Sequence, residues 1–237
     1  MIAFLCVLAL SGIAAGQSYP AGDSLLDTYQ YLDAINYFDS VSTADSESCE
    51  AFWKLAMSLN YFAELIPKDD QLAYYERASE AAEKAIALDS TAAEGHFQLA
   101  RALGKIALFK GVFKSIGLAK RVKKETELVL ELDPNHDGAY HILGRWNREV
   151  AQKPKFIRVP MGLGSADKEV GLEMLEKAVE LKPAFIHHHL EYGISLLDKK
   201  RKDEARQQFQ ICLELTAHGP LDAKYQKEAK EYLAQFD

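Results

Sequence analysis

The sequence predicts an all-α solenoid of stacked helix pairs, and three observations lead there. A short motif returns at a nearly fixed interval. Leu88-Asp89-Ser90, Leu132-Asp133-Pro134 and Leu181-Lys182-Pro183 have central residues 44 and then 49 positions apart, with a fainter copy at Ala44-Asp45-Ser46 another 44 upstream. A period of this size marks units that cannot bury their apolar faces alone and lean on their neighbours. Before each motif, small and bulky residues recur at steps of four and three, which places them on one stripe of a helix. These sets are Ala34, Phe38 and Val41; Ala78, Ala82 and Ala85; Val122, Thr126 and Val129; Gly171, Leu175 and Ala178; and Ala205, Phe209 and Cys212. A second series lies upstream of these helices, in which an aromatic side chain or histidine is followed three positions later by an apolar residue and then Ala or Gly. Its members are Phe52..Leu55-Ala56, His96..Leu99-Ala100, Tyr140..Leu143-Gly144 and His189..Tyr192-Gly193.

Taken in order, Tyr19-Pro20-Ala21-Gly22 reads as a linker into a truncated first unit with helices over 23–29 and 31–42. The second unit pairs 46–65 with 70–88, and Asp69 or Asp70 after Pro67 is a natural N-cap. The third opens at Thr91, where Thr91 and Glu94 fit a capping box. It runs to 109, with its partner over 116–132. Between them, Phe109 to Gly117 mixes apolar and basic residues around two glycines, as in a loop that touches a membrane or, more often, one that tucks its aromatics under a neighbouring helix. The fourth unit pairs 137–151 with 167–181. Pro154, Pro160, Gly162 and Gly164 preclude a continuous helix between them, and Ser165 is the candidate N-cap of the second helix of this pair. The fifth pairs 185–198 with 203–215 around the solvated turn Lys199-Lys200-Arg201-Lys202, and 222–236 forms a capping helix with a polar outer face.

The aromatic, the small residue and the small-x3-bulky helix ending near Pro resemble the tetratricopeptide repeat. The resemblance implies a right-handed solenoid of about five helix pairs closed by a C-terminal capping helix. Gly193 and Ala205 are 12 apart, as in the plain repeat of about 34 residues. The earlier gaps of 22, 22 and 27 imply insertions of 10, 10 and 15 residues between the paired helices. Leu143-Gly144-Arg145-Trp146, Glu149-Val150-Ala151, the Pro- and Gly-containing insertion, the Pro183 unit and Asp222 to Ala229 together resemble the regulator of microtubule dynamics family and its exported bacterial relatives, over 46–235. For animal members the family name implies microtubule association. A chain with a bacterial-style export signal meets no microtubules, so the resemblance is carried over for the fold, and a microtubule role is kept as an alternative.

Residues 2–15 form an uncharged apolar run ending in Ala14-Ala15-Gly16. The run is too short to span a bilayer and suits the core of a signal peptide, which makes 1–16 a signal segment, 17–237 the solenoid domain, and the protein exported to a periplasm or medium. The 237-residue chain is long enough for one extended domain. Its formal net charge of −7 is unevenly spread: residues 17–95 carry 15 acidic and 4 basic side chains, and residues 96–237 carry 20 and 24. That distribution weighs against nonspecific nucleic-acid binding. Cys49 and Cys212 fall in distant units and are not expected to form a disulfide.

No nucleophile triad, phosphate loop, zinc spacing or dinucleotide fingerprint is present, so the reading is non-enzymatic and without cofactor. His187-His188-His189 cannot converge on a metal, because consecutive helix residues point about 100° apart. The candidate site is the concave groove that the first helices of the repeat line. Its expected residues are Trp53, Met57 and Tyr61 in the second unit, Phe97, Arg101 and Lys105 in the third, and His141, Arg145 and Arg148 in the fourth. The groove is aromatic at one end and cationic in the middle, and it suits a protein partner with an acidic or C-terminal peptide. Two alternatives stand beside this reading: Arg145 and Arg148 pair internally with Glu149 or with acids of the third unit, or the protein is structural and acts through its convex face and long inter-helix loops.

Overall fold

A computed structural model of the chain describes residues 18–110 and 112–236, among which there are twelve α-helices and no strand. The expected signal segment, residues 1–16, lies outside the described residues. The first helices are α1 (Pro20–Asp27), α2 (Tyr31–Ala44), α3 (Cys49–Ala63), α4 (Lys68–Leu88), α5 (Ala93–Phe109) and α6 (Val112–Leu132). They are followed by α7 (Asp137–Ala151), α8 (Lys155–Arg158), α9 (Lys168–Leu181), α10 (Ile186–Asp198), α11 (Lys202–Glu214) and α12 (Pro220–Leu233). Helices α3 and α4, α5 and α6, α7 and α9, and α10 and α11 pack as pairs, and the second helix of each unit also packs on the first helix of the next. This is the tetratricopeptide solenoid. Its register is fixed by burial: Leu55, Leu99, Leu143 and Tyr192 are 6, 0, 6 and 7% exposed.

The recurring Leu-Asp motif has a local cause. Asp45, Asp89 and Asp133 follow the last residue of α2, α4 and α6, and each carboxylate turns back to accept a backbone N–H two residues on. The acceptances are from Glu47 at 3.2 Å, Thr91 at 2.8 Å and Asn135 at 3.0 Å. Such an Asx turn ends one helix and starts the next with few connecting residues. The aromatic or histidine position is likewise structural. Tyr140 donates to the Pro134 carbonyl at 3.2 Å, while the Nε2 atoms of His96 and His189 sit 3.0 and 2.8 Å from the carbonyls of Ser90 and Pro183. In each case the ring packs in the unit and its polar tip ties down the preceding turn.

The small residues mark close approach. A Cβ on Gly144 would lie 2.5 Å from Leu175 and 2.9 Å from the Gly171 carbonyl, and one on Gly171 would lie 2.9 Å from the Gly144 carbonyl. Helices α7 and α9 therefore touch backbone to backbone.

Several local expectations change. The ten extra residues of the second and third units are helix rather than connection, since α4 and α6 each run 21 residues. Only the fourth unit keeps a long irregular segment, and it contains the short α8. Thr91 does not cap α5: its hydroxyl donates to Asp89 at 2.7 Å, and Ala92 stands at the N-cap. At α4 the N-cap is Pro67, with Asp69 and Asp70 in the first turn, where their charge favours the helix dipole. Asp167 rather than Ser165 caps α9, accepting from the N–H groups of Glu169 and Val170 at 2.7 and 3.4 Å. Helix α12 begins at Pro220. Cys49 and Cys212 are both free thiols, and burial pushes the Cys212 thiol up to about 12.

Candidate functional site

The inner face of the solenoid is lined by α3, α5, α7 and α10. Arg101 and Lys105, four apart on α5, share one face, and Tyr61 of α3 and Arg145 of α7 stand beside them. Arg101 stacks on the Tyr61 ring with its guanidinium carbon 4.2 Å from the centroid. Its Nη2 donates to Glu64 at 2.7 Å, and Lys105 Nζ lies 3.1 Å from the other oxygen of the same carboxylate. Glu64 is 5% exposed at the end of α3. Burial alone would raise its carboxyl, but Lys105 and Arg101 outweigh that and hold it well below the usual range.

A second carboxylate, Glu191 on α10, anchors the other half. Arg145 Nε is 3.2 Å from it and Arg148 Nη2 is 2.7 Å from Oε2, an oxygen that accepts no well-aligned hydrogen bond. Burial again works against the charged form, and Arg145 and Arg148 reverse the balance. Arg148 also pairs with Glu149 at 2.9 Å and reaches the Glu191 carbonyl at 3.3 Å. Of the internal pairing weighed from sequence, the Arg148–Glu149 contact is present, but the main acid for both arginines is Glu191 of the fifth unit and not an acid of the third.

Helix α12 covers this cluster. Tyr225 donates its hydroxyl to Glu64 at 3.0 Å, and Lys224 donates to the Glu64 backbone carbonyl at 3.0 Å. The Tyr225 ring stacks on His187, with centroids 3.9 Å apart and planes 8° from parallel. Burial pushes the Tyr225 hydroxyl well above its usual value, with the Glu64 charge adding to it. Six of the nine expected groove residues therefore belong to this neighbourhood: Tyr61, Arg101, Lys105, His141, Arg145 and Arg148. Phe97 lies elsewhere, 4.4 Å from the His136 ring and against Gly138 at the junction with the next unit. Trp53 sits 5.4 Å from Lys54 Nζ, and Met57 is half-buried on the same helix.

The histidines form a relay. His188 Nε2 is 2.8 Å from Asp137, and its Nδ1 is 2.9 Å from Nδ1 of His141. The Asp137 carboxylate accepts a hydrogen bond from His188 Nε2–H, so a neutral His188 accepts at Nδ1, His141 carries its proton on Nδ1, and its Nε2 is left as a lone pair. Burial depresses all three rings, His141 well below its usual value, His188 less, and His187 to about 4. His141, His187 and Glu191 offer ligand atoms within 4.8 Å of one another, a convergence across two helices that the local spacing argument did not consider. The donor set suits an imidazole-preferring divalent ion. Against it stand two guanidinium groups already on the only carboxylate and the positive charge of Lys105 and Arg101 nearby.

Sequence reasoning missed Glu64, His187, Glu191 and Tyr225. Glu64 follows Tyr61 by three, on the groove side of α3, and could have been included. Glu191 falls two before Gly193, outside the groove offsets. Only the expectation of a C-terminal capping helix over 222–236 pointed toward Tyr225.

Comparison with known proteins agrees with this architecture. The family model described as regulator of microtubule dynamics protein 1-3 matches residues 19–237. The chain belongs to this family. Regulator of microtubule dynamics protein 1 of Pongo abelii is 25% identical over 201 residues, covering 81% of this chain and 64% of that protein. Regulator of microtubule dynamics protein 3 of Rattus norvegicus is 26% identical over 186 residues, covering 76% of this chain and 40% of that protein. The chain thus spans less than two thirds of the length of either relative. Among solved structures, a thermophilic tetratricopeptide-repeat protein of Thermus thermophilus superposes with a TM-score of 0.66 at 16% identity, covering 91% of this chain and 96% of that one. MamA of Desulfovibrio magneticus gives 0.52 at 20% identity, covering 83% and 91%. The family's match begins well before the 46–235 stretch that carries the resemblance in sequence motifs, taking in the truncated first unit.

Proposed function

We propose that the protein is a non-enzymatic interaction scaffold that holds a protein or peptide partner through a carboxylate at the cationic centre of its inner face. The observation that carries this reading is the charge balance there. Five cations, Arg101, Lys105, Arg145, Arg148 and Lys224, meet four carboxylates: the interior Glu64 and Glu191, the half-exposed Glu149, and Glu228 of α12, which feels Lys105, Lys224, Glu64 and Glu191. Lys105 and Arg145 retain 21 and 28% side-chain exposure, so an incoming acid can reach them. Arginine offers a planar fork that fits a carboxylate on two bonds, and the Tyr61 ring beside Arg101 supplies an apolar flank. Trp53 and Met57 extend the face for the rest of a peptide. The repeat fold and membership of the family are consistent with such a role, and with residues 1–16 as an export signal the protein acts outside the cytoplasm. N-terminal sequencing of the natively expressed protein should begin near Gln17, and a soluble product retaining Met1 would remove the export claim.

The binding test uses a fluorescent peptide of glutamates with a free C-terminal carboxylate. It should bind with an affinity that falls as salt rises, since exposed charge is screened over about 8 Å at physiological ionic strength. Lys105→Met combined with Arg145→Gln should weaken it by about tenfold or more, while leaving Arg148 on Glu191 and the helicity intact. Unchanged affinity in that variant would return the function to the convex face and the inter-helix loops.

A further inference from the structure

The segment joining α7 to α9 lies apart from the inner face and has its own construction. Its outer residues, 152–157 with 159 and 160, are all exposed. Phe156 is 79% exposed, Val159 56% and Ile157 38%. Beneath them Arg158 points inward at 5% exposure. Its Nε donates to the Lys153 carbonyl at 3.1 Å, and its Nη1 lies 3.4, 3.0 and 2.5 Å from the carbonyls of Leu163, Gly164 and Ala166. Leu163 and Ala166 are themselves buried in the core that contains Trp146. Burying a guanidinium is costly unless its donors are satisfied, and here the loop's own carbonyls satisfy them. The clamp fixes the loop's shape and holds three apolar side chains out in water.

Single exposed apolar residues need no explanation, whereas a group of them on one rigid knuckle does. The surrounding charge indicates what they meet. No acidic residue occurs from Val150 to Ala166, and Lys153 and Lys155 flank the apolar tip. The nearest acids in sequence on either side, Glu149 and Asp167, are engaged, the first with Arg148 and the second in capping α9. A projecting phenylalanine needs a matching hole in a protein partner, but none in the soft boundary between lipid headgroups and acyl chains. Lysines at its rim can place their ammonium groups at the phosphates while their stems follow the apolar tip inward.

We propose that the knuckle from Lys153 to Val159 docks the protein on an anionic lipid surface. Phe156, Ile157 and Val159 enter the headgroup boundary, and Lys153 and Lys155 pair with lipid phosphates. The contact is peripheral and reversible, as no helix among the described residues is long and apolar enough to cross a membrane. It does not depend on the carboxylate-binding reading of the inner face.

Sedimentation of the full chain with vesicles tests it. Binding is expected to vesicles of phosphatidylcholine mixed with phosphatidylglycerol, not to phosphatidylcholine alone, and it should weaken with salt. Lys153→Ala and Lys155→Ala should each lower partitioning by roughly fivefold. Phe156→Glu combined with Val159→Glu should abolish it, with far-ultraviolet circular dichroism unchanged because both side chains are exposed. Phe156→Trp gives a readout without perturbing charge: its added fluorescence, over that of Trp53 and Trp146, should shift to the blue and be quenched by brominated lipid. Absence of quenching, equal binding to neutral vesicles, or vesicle binding that survives the double glutamate variant would each overturn the proposal. Indifference to vesicles with knuckle-dependent capture of an acidic peptide would overturn it in favour of a protein partner.

Discussion

Asp89 and Gly144 show how single residues carry the repeat. Asp89 is lowered from its ordinary value chiefly by its bonds to Thr91, so its carboxylate is held for the turn it makes. Gly144 works by absence, since only a missing Cβ lets α7 meet the Gly171 carbonyl. Gly144→Ala gains up to about 1 kcal/mol of helix propensity but must displace a backbone carbonyl, and overpacking of this kind costs about 1–3 kcal/mol. A net loss is expected, read as a lower thermal midpoint. Gly104 is the control: a Cβ there meets only Val122 at 4.0 Å. Gly104→Ala should leave stability unchanged or raise it by up to about 1 kcal/mol. If both alanines behaved alike, close approach would not be why small residues recur at these positions.

At the scale of elements, helix α12 does more than cap the stack. It packs on α10 and α11, and through Lys224 and Tyr225 it reaches Glu64 at the end of α3. Tyr225→Phe keeps the stack on His187 and removes one hydrogen bond to a buried carboxylate, which should cost about 1.5–3 kcal/mol in urea denaturation. No loss in that variant would mean Arg101 and Lys105 satisfy Glu64 unaided. The elements themselves were legible because helix periodicity is local: Ala78, Ala82 and Ala85 are all fully buried, as their spacing requires. Caps were less legible, since Thr91, Ser165 and the first-turn aspartates compete within a few residues and the turn geometry decides. Legibility fails for partners set by the superhelix. The Glu64–Tyr225 contact spans 161 positions, and no spacing rule along one helix reaches that far. Six groove residues were placed in one neighbourhood from sequence; the carboxylates that neutralise them were not.

At the scale of the whole molecule, the inner face is where the two ends of the solenoid are tied together, and its charge pattern makes that tie sensitive to acid. His187 sits between Glu191 on its own helix, Arg145 on α7, Glu64 at the end of α3 and Tyr225 on α12. Burial depresses it to about 4 despite its acidic neighbours. In the unfolded chain the same ring titrates near about 6.5. Between these values the unfolded state binds the extra proton, so stability rises with pH across the window and falls on acidification from about 6.5 toward 4. His187 alone should make the protein about 2 kcal/mol less stable at pH 5 than at pH 7, and the depressed His141 and His188 act in the same direction. Glu64 and Glu191 behave differently: their depressed carboxyls contribute above the ordinary glutamate range, and that contribution is lost only at lower pH. Two acid limbs are therefore expected in the urea midpoint, a histidine limb below about 6.5 and a carboxylate limb beginning below about 4.3. His187→Gln should shrink the first limb to the part that His141 and His188 supply, and leave the second. A midpoint unchanged between pH 7 and pH 5 in the wild type would mean that the rings are not held neutral, and that α12 does not seal them from water.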